Sequence, residues 1–324
     1  MNKVKSTRNL KFKKYAPLYL FFIPSAAFVI IFKYLPMAGL IMAFKENPNM
    51  LAASSPVQAI LKADWVGLQN FKDMFSDPEI IQALKNTLII SIQKIVLVFP
   101  IPIALAVLIN ELRGHVIKKS LEFTMYIPHF LSWVTVGGIF GAILSENTGL
   151  VNNILEFFGH QRIAFVSNKD TIRGVLVISH AWKNIGYSSI VYMSAILALD
   201  TNQFEAAKID GASPIYVFTN IILPLAKPII ATTASFVVVN LWNNYMSSVM
   251  YITSNKTIYP VQMYIRNFMA MDPMDIALDN PKLLSYWDNI EMAYLFLAIL
   301  PIICAYPLLF KFFKGGATAG AVKG

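Results

Sequence analysis

Six apolar runs dominate this chain, at about 16–44, 87–110, 123–144, 173–199, 228–252 and 290–313. Each is near the roughly 20 residues that carry an α-helix across about 30 Å of hydrocarbon. Of the 324 residues, 56% are hydrophobic and only 14% charged, which lies outside the range of soluble globular domains. The pattern predicts an all-α integral membrane protein of about six transmembrane helices. The first run is too long for a simple span and contains Lys33, which fits a tilted helix or one with an interfacial continuation. "YAPLYLFFIPSAAFVIIF" is also too long for the core of a cleaved leader and follows a basic arm, so it is expected to be retained as the first helix. Cys304, the single cysteine, lies inside the last run and offers neither a disulfide nor a Cys cluster for metal.

Charge sets the expected orientation. With the N-terminus in the cytoplasm, segments 1–14, 111–121, 200–227 and 311–324 hold 14 Lys or Arg in 67 residues. Segments 45–85, 145–171 and 253–289, on the other side, hold 9 in 105. Positive charge is about twice as dense inside, as the positive-inside rule requires. Both termini are therefore expected to be cytoplasmic, with a basic arm at 1–14, a six-helix domain at 15–314 and a tail at 315–324. The net charge of +9 follows from topology and anionic headgroups, and no nucleic-acid partner is called for.

The longest inner loop, 201–227, stands out in so apolar a chain. "TNQFEAAKIDGAS" offers Thr201 or Asn202 as an N-cap ahead of good helix formers, and Gly211 breaks that helix. "SPIYVFTNIILP" reads as a second short helix, with Ser213 as cap and Pro214 in the first turn, ending towards Pro224 and Pro228. Its Ile215, Phe218, Ile221 and Ile222 form an apolar stripe. Such a stripe suits a groove on a partner protein, or else lipid or the chain's own bundle.

The loop resembles the signature of the permease subunits of bacterial ABC importers: E-A-A, three residues, G, nine residues, I-x-L-P. The match is complete in Glu205, Ala206, Ala207, Gly211, Ile221, Leu223 and Pro224, with Asp210 inside it. The longer stretch "EAAKIDGASPIYVFTNIILPLAKP" is similar to the carbohydrate branch, and the tail "KGGATAGAVKG" to an LplB-like subgroup linked to complex oligosaccharides. The resemblance implies an ABC importer permease bundle in the bacterial inner membrane, crossing it several times. It also implies that this loop couples to an ATPase subunit, Glu205 pairing with a basic group, Ala206 and Ala207 allowing close approach and Gly211 giving the bend. The partners implied are a second homologous permease, two copies of the ATPase, an extracytoplasmic solute-binding protein and a sugar or oligosaccharide cargo, all around the lipid bilayer.

No GxxxxGK[ST] phosphate loop occurs, so no cofactor is expected on this chain; ATP and Mg would act through the partner ATPase. The alternative is an ion-coupled secondary transporter or a channel subunit. Ion coupling usually engages acids within the bilayer, yet Glu122 and Glu291 sit only at the edges of runs. An intramembrane enzyme would need paired acids, a metal set or an activated nucleophile, whereas His129 and His180 stand apart in sequence and no HExxH exists.

Polar residues inside the runs mark candidate cargo contacts. In the fifth run Asn240, Asn243, Asn244 and Ser247 recur at i, i+3, i+4 and i+7, one helical face, with Thr233 and Tyr251 extending it. They can hydrogen-bond sugar hydroxyls or glue helices together. In the fourth run, "SHAWKNIGYSS" supplies His180, Lys183, Asn184, Tyr187 and Ser188. Lys183 needs a partner, such as a carboxylate or backbone carbonyl of a partner subunit, or an anionic ligand. Lys94 and Lys33 are expected to snorkel to an interface, and the lysines together permit an acidic cargo. Pro100, Pro102, Pro128, Gly137 and Gly138 serve either as hinges or as packing points. Trp65, Phe71, Phe75 and Trp287 lie in the outer segments, where they either receive a binding protein or anchor the interface.

Overall fold

The computed structural model describes residues 2–47, 55–112, 114–197, 207, 211–252, 255–272 and 287–321. Regular structure among them is helical, and the nearest thing to a sheet is one antiparallel bridge between Lys45 and Trp65. The chain divides into two units, residues 1–76 with 271–297, and 77–270 with 298–324.

In the first unit, helix α1 (Asn2–Val29) runs on through a wide π turn at Ile30–Tyr34 and a tight turn ending at Phe44. Its apolar side chains from Leu18 to Leu35 are largely exposed, as on a helix sheathed in lipid. Short helices α2 (Pro56–Lys62) and α3 (Gln69–Phe75) follow. The unit is knotted at the end of the tight turn. Asn70 donates to Ala43 O and Lys45 O, Asn289 donates to Met42 O and Lys45 O, and Lys45 donates to Leu61 O and Ala63 O. These side chains satisfy carbonyls that an irregular buried backbone would otherwise leave orphaned.

The second unit is built around α9 (Ile172–Leu197), against which α4 (Pro78–Val98), α5 (Pro100–Glu111) and α6 (His115–Phe130) pack. Asp77 caps α4, accepting from Glu79 N at 2.8 Å ahead of Pro78 in the first turn. Helices α4 and α5 nearly form one rod of 33 residues, Pro78–Asn110, longer than the run read as 87–110. At their join the N–H of Phe99 reaches back five residues to Lys94 O, and this widened turn makes room for Pro100, whose ring would clash in a regular one. The α6–α9 contact is closest at Gly186. A Cβ there would lie 1.8 Å from the Met125 carbonyl oxygen, so only glycine lets the two backbones meet.

Two expected spans are not simple helices. The run 123–144 is broken into α6 and α7 (Trp133–Ile143), whose axes differ by 101°. Pro128 sits in the last turn of α6, Leu131 and Ser132 turn extended, and the Ser132 hydroxyl caps α7 by accepting from Thr135 N at 3.1 Å. The short α8 (Leu150–Phe157) lies in the following connection, where Asn152 donates to Ser145 O and Ile163 O. The run 228–252 is also interrupted. Helix begins earlier, as α10 (Pro214–Val217), passes a π turn at Phe218–Ile222 and continues as α11 (Leu223–Asn243). Pro224 therefore does not end the helix: it falls in the first turn after the wide π turn, where a missing N–H costs least. The rod bends by 66° between Phe218–Lys227 and Ile230–Asn243, across Pro228. It stops at Asn244, which is extended, before α12 (Met246–Tyr251).

Helix α13 (Val261–Met269) is tied to the start of α4, where Val261 N donates to Thr87 and the Tyr264 hydroxyl to Asp77. The last helix, α14 (Trp287–Ala321), outruns the span read as 290–313 and takes in most of the expected tail. The Trp242 indole donates to Ala298 O on it at 2.8 Å. Among the described residues three helices, Pro17–Phe44, Pro78–Asn110 and Trp287–Pro307, are long and apolar enough to cross a membrane, or up to five if each bent pair is one span. Helix α9 has the length, but the polar residues of "SHAWKNIGYSS" keep it off that count.

Candidate functional site

The break between α6 and α7 organises the site. The end of α6 presents orphaned carbonyls and the negative end of its dipole. Lys183 answers them: only 7% exposed, it donates to His129 O at 2.7 Å, to Leu131 O, and at a long 3.4 Å to Pro128 O. Its ammonium also lies 5.8 Å from the centre of the Trp133 ring. Lys183 is thus committed to carbonyls of its own chain, where the sequence pointed to a partner subunit or an anionic ligand; the difference arises because the α6–α7 break delivers these carbonyls to it.

Rings stack around this cap. His129 lies 4.1 Å from Tyr187 with the planes 8° apart, and its Nδ1 is 3.3 Å from Asn184 Oδ1. Asn184 in turn donates to His180 O at 3.0 Å, and the His180 ring lies parallel to Trp133 at 6.2 Å. The spacing of His180, Asn184, Tyr187 and Ser188 along α9 puts them on one helical face.

Across from that face stands α11, with Thr233, Phe236, Val237, Asn240 and Leu241, and Asn244 just past its end. The two walls enclose a cavity of about 520 Å³, within the size range of small-molecule sites. Thus the polar patches of the fourth and fifth runs, distant in sequence, face each other across one space. His129 and Trp133 contribute from the α6–α7 break, and Lys183 and Val191 complete the lining. Rings beside amides and hydroxyls can cover the apolar face of a sugar and bond its edge.

The expected face of the fifth run is only partly realised. Asn240 and Asn244 line the cavity, but exposed Asn243 does not, and Ser247 is fully buried, donating to Asn244 Oδ1 at 3.1 Å. For Ser247 the reason is the end of α11 at Asn243, after which helical spacing no longer predicts a shared face. Tyr251 is buried on α12 and is likewise absent from the lining. His129, Trp133, Phe236, Val237, Val191 and Leu241 were not picked out as lining residues. The Pro128-to-Ser132 punctuation is the one sequence signal that could have placed the first two.

A smaller chamber of about 50 Å³ adjoins the cavity and shares His180, Asn184, Ser188, Val237 and Leu241 with it. Lys94 lines it. At 4% exposed, Lys94 does not snorkel to an interface as expected, because α4 faces it into the bundle.

In the loop, Glu205, Ala206 and Asp210 lie outside the described residues. What is described is a helix stop. Gly211 takes φ +78°, and Ala212 N bonds back to Ala207 O at 3.0 Å, the six-to-one bond of a Schellman motif. Ser213 caps the next helix as expected, accepting from Tyr216 N at 3.3 Å. The apolar stripe is turned partly home: Ile222 is buried with Val217 against Ala106, Ile109, Tyr192 and Met193, while Phe218 and Ile221 are half-buried. The side chain of Ile215 lies outside those described. Tyr216, Leu223, Pro224 and Leu225 remain exposed.

Comparison with known proteins points the same way. A family model described as "Binding-protein-dependent transport system inner membrane component" matches residues 98–313. The polygalacturonan/rhamnogalacturonan transport system permease protein YteP of Bacillus subtilis (strain 168) is 38% identical over 213 residues, 66% of this chain and 64% of that protein. Protein LplB of the same organism is 36% identical over 210 residues, 65% and 64% of the two chains. The matches thus span a little under two thirds of these relatives' own length. Among solved structures, a chain of a bacterial ABC transporter involved in the import of the acidic polysaccharide alginate superposes with a TM-score of 0.74 at 28% identity, covering 95% of this chain and 97% of that one. A second, a bacterial alginate ABC transporter in complex with an alginate pentasaccharide-bound periplasmic protein, gives 0.73 at 28%, covering 93% and 94%.

Proposed function

The chain belongs to the family of binding-protein-dependent transport system inner membrane components, and from that membership we propose that it is one permease subunit of an ATP-driven importer of oligosaccharides. It is a multi-pass protein of the bacterial cell membrane. In this reading it crosses six times, with both termini in the cytoplasm, and pairs with a second homologous permease. Two ATPase subunits bind ATP and Mg below, a solute-binding protein delivers cargo above, and the permease itself catalyses no reaction.

The observation that carries the reading is the succession of helical segments from Pro214 to Asn243, bent once by 66°. One end of this succession emerges from the Gly211 stop in the EAA loop, and the other carries Thr233, Phe236 and Asn240 into the cavity wall. A displacement of the loop by a closing ATPase is therefore delivered to the cavity wall through covalent structure. The 66° bend at Pro228 is where the angle between the two halves can change. ATP closure then biases a two-state bundle, facing inward in one state and outward in the other.

The test is Gly211→Val. The space beside Gly211 is open, so the cost of a side chain is conformational, about 1–2 kcal/mol for left-handed backbone. The variant is expected to insert and to pair with the second permease, yet to lose co-purification of the ATPase or its stimulation by loaded binding protein. Normal uptake by this variant would sink the coupling role of the loop.

A further inference from the structure

Two lysines are buried at this site, and only one is accounted for. Lys183 is held by the carbonyls at the α6–α7 break. Lys94 is buried more deeply, and among the described residues no hydrogen bond or ion pair reaches its Nζ. An ammonium in a bundle interior without a partner is costly, and such groups are kept where they meet a counter-charge or a ligand. The space it faces is not filled by protein. The chamber of about 50 Å³ exceeds the roughly 30 Å³ share of one water. It adjoins the main cavity, the two sharing His180, Asn184 and Ser188 in their linings, and among the described residues neither lining contains a carboxylate.

We propose that Lys94 is the carboxylate-binding residue of this cavity, and that the cargo is an oligosaccharide bearing sugar acids. The acid group sits in the side chamber against Lys94, and the ring it belongs to lies in the main cavity between Tyr187 on one wall and Asn240 on the other. A charge-assisted hydrogen bond to a buried ammonium is strong and is made only by the acid, so the residue selects acidic over neutral sugars rather than raising affinity for both. This inference rests on the importer reading and adds to it a specificity that the membrane subunit itself imposes.

The experiment uses the complete complex in proteoliposomes, with ATP enclosed and binding protein outside. The probe is a mixture of partial digests of pectin, alginate, arabinan and starch, and mass spectrometry identifies what reaches the lumen. The wild type is expected to accumulate uronate-bearing oligosaccharides. Lys94→Met should cut that uptake at least about tenfold while assembly and ATPase stimulation by the binding protein are retained, and Lys94→Arg should restore most of it. Any neutral oligosaccharide that the wild type admits should be carried equally well by Lys94→Met.

Equal loss of acidic and neutral uptake, no loss, or failure of Lys94→Met to assemble would each overturn the proposal; the last would assign Lys94 to a carboxylate of a partner subunit. Accumulation of neutral oligosaccharides alone by the wild type would overturn it and leave the importer standing. A wild-type complex that imports nothing, or that holds no ATPase, would bring down the importer reading itself.

Discussion

Lys183→Met separates a structural lysine from a cargo-binding one. Methionine keeps the length and apolar packing of the stem but removes the ammonium from His129 O and Leu131 O, while Pro128 O at 3.4 Å loses little. Hydrogen bonds to a charged group are worth about 1.5–3 kcal/mol each, and the contact with Trp133 adds on the order of 0.5–1 kcal/mol. Water from the adjoining cavity can serve part of the exposed carbonyl edge, so a net loss of about 2–4 kcal/mol is expected, below the simple sum. At about 2–4 °C per kcal/mol, the shift is on the order of 5–10 °C. The assay is thermal unfolding of the purified complex at a fixed scan rate, because such complexes unfold irreversibly. Lys183→Arg should recover only part, since a planar fork does not match three carbonyls that converge on a point. A midpoint unmoved within about 1 °C, with transport abolished, would refute the reasoning and show that Lys183 spends its charge on cargo.

Two further substitutions test the framework. Gly186→Ala should separate α6 from α9, since the clash with Met125 involves backbone and cannot be relieved by a rotamer; a loss of about 1–3 kcal/mol or more is expected in the same melt. Gly138→Ala, where a Cβ meets nothing within 4 Å, should melt like the wild type, and equal damage from both would refute the contact. Asn240→Leu should lower uptake several-fold with the complex intact, whereas Asn243→Leu, outside the cavity lining, should not. Dissociation of the complex by Asn240→Leu would mark that residue as helix glue instead.

The membrane class, the family and the loop with its Gly211 stop were legible in the sequence because they rest on local pattern: run length, capping residues and fixed spacing. The cavity was half legible. His180, Asn184, Asn240 and Asn244 were each chosen as polar residues within apolar runs, but nothing local says that α9 and α11 face one another. The fifth-run face failed at Ser247 because periodicity assumes an unbroken helix, and Asn244 leaves the helix without any proline or glycine to announce it. The third run shows the opposite case. Pro128 and Ser132 were on view as stop and cap, but hydropathy averages over the break and returns one span where the structure has two helices at 101°. Side chains such as His129 and Trp133 acquire their place only from that turn.

Lys94 and Lys183 show where residue type stops being informative. Both are lysines in apolar runs and both are almost fully buried, although the sequence pointed Lys94 to an interface and Lys183 to a partner or an anionic ligand. What distinguishes them is the bend of a third segment. The α6–α7 break delivers three carbonyls to Lys183 and none to Lys94, so one ammonium completes the fold while the other faces open space. The two substitutions to methionine should therefore part company: Lys183→Met lowers the melting point, and Lys94→Met, freed of an uncompensated buried charge, leaves it unchanged or raises it. Stability and selectivity are thus expected to be carried by different lysines of one cavity, and a fall in melting point with Lys94→Met comparable to that with Lys183→Met would erase the distinction.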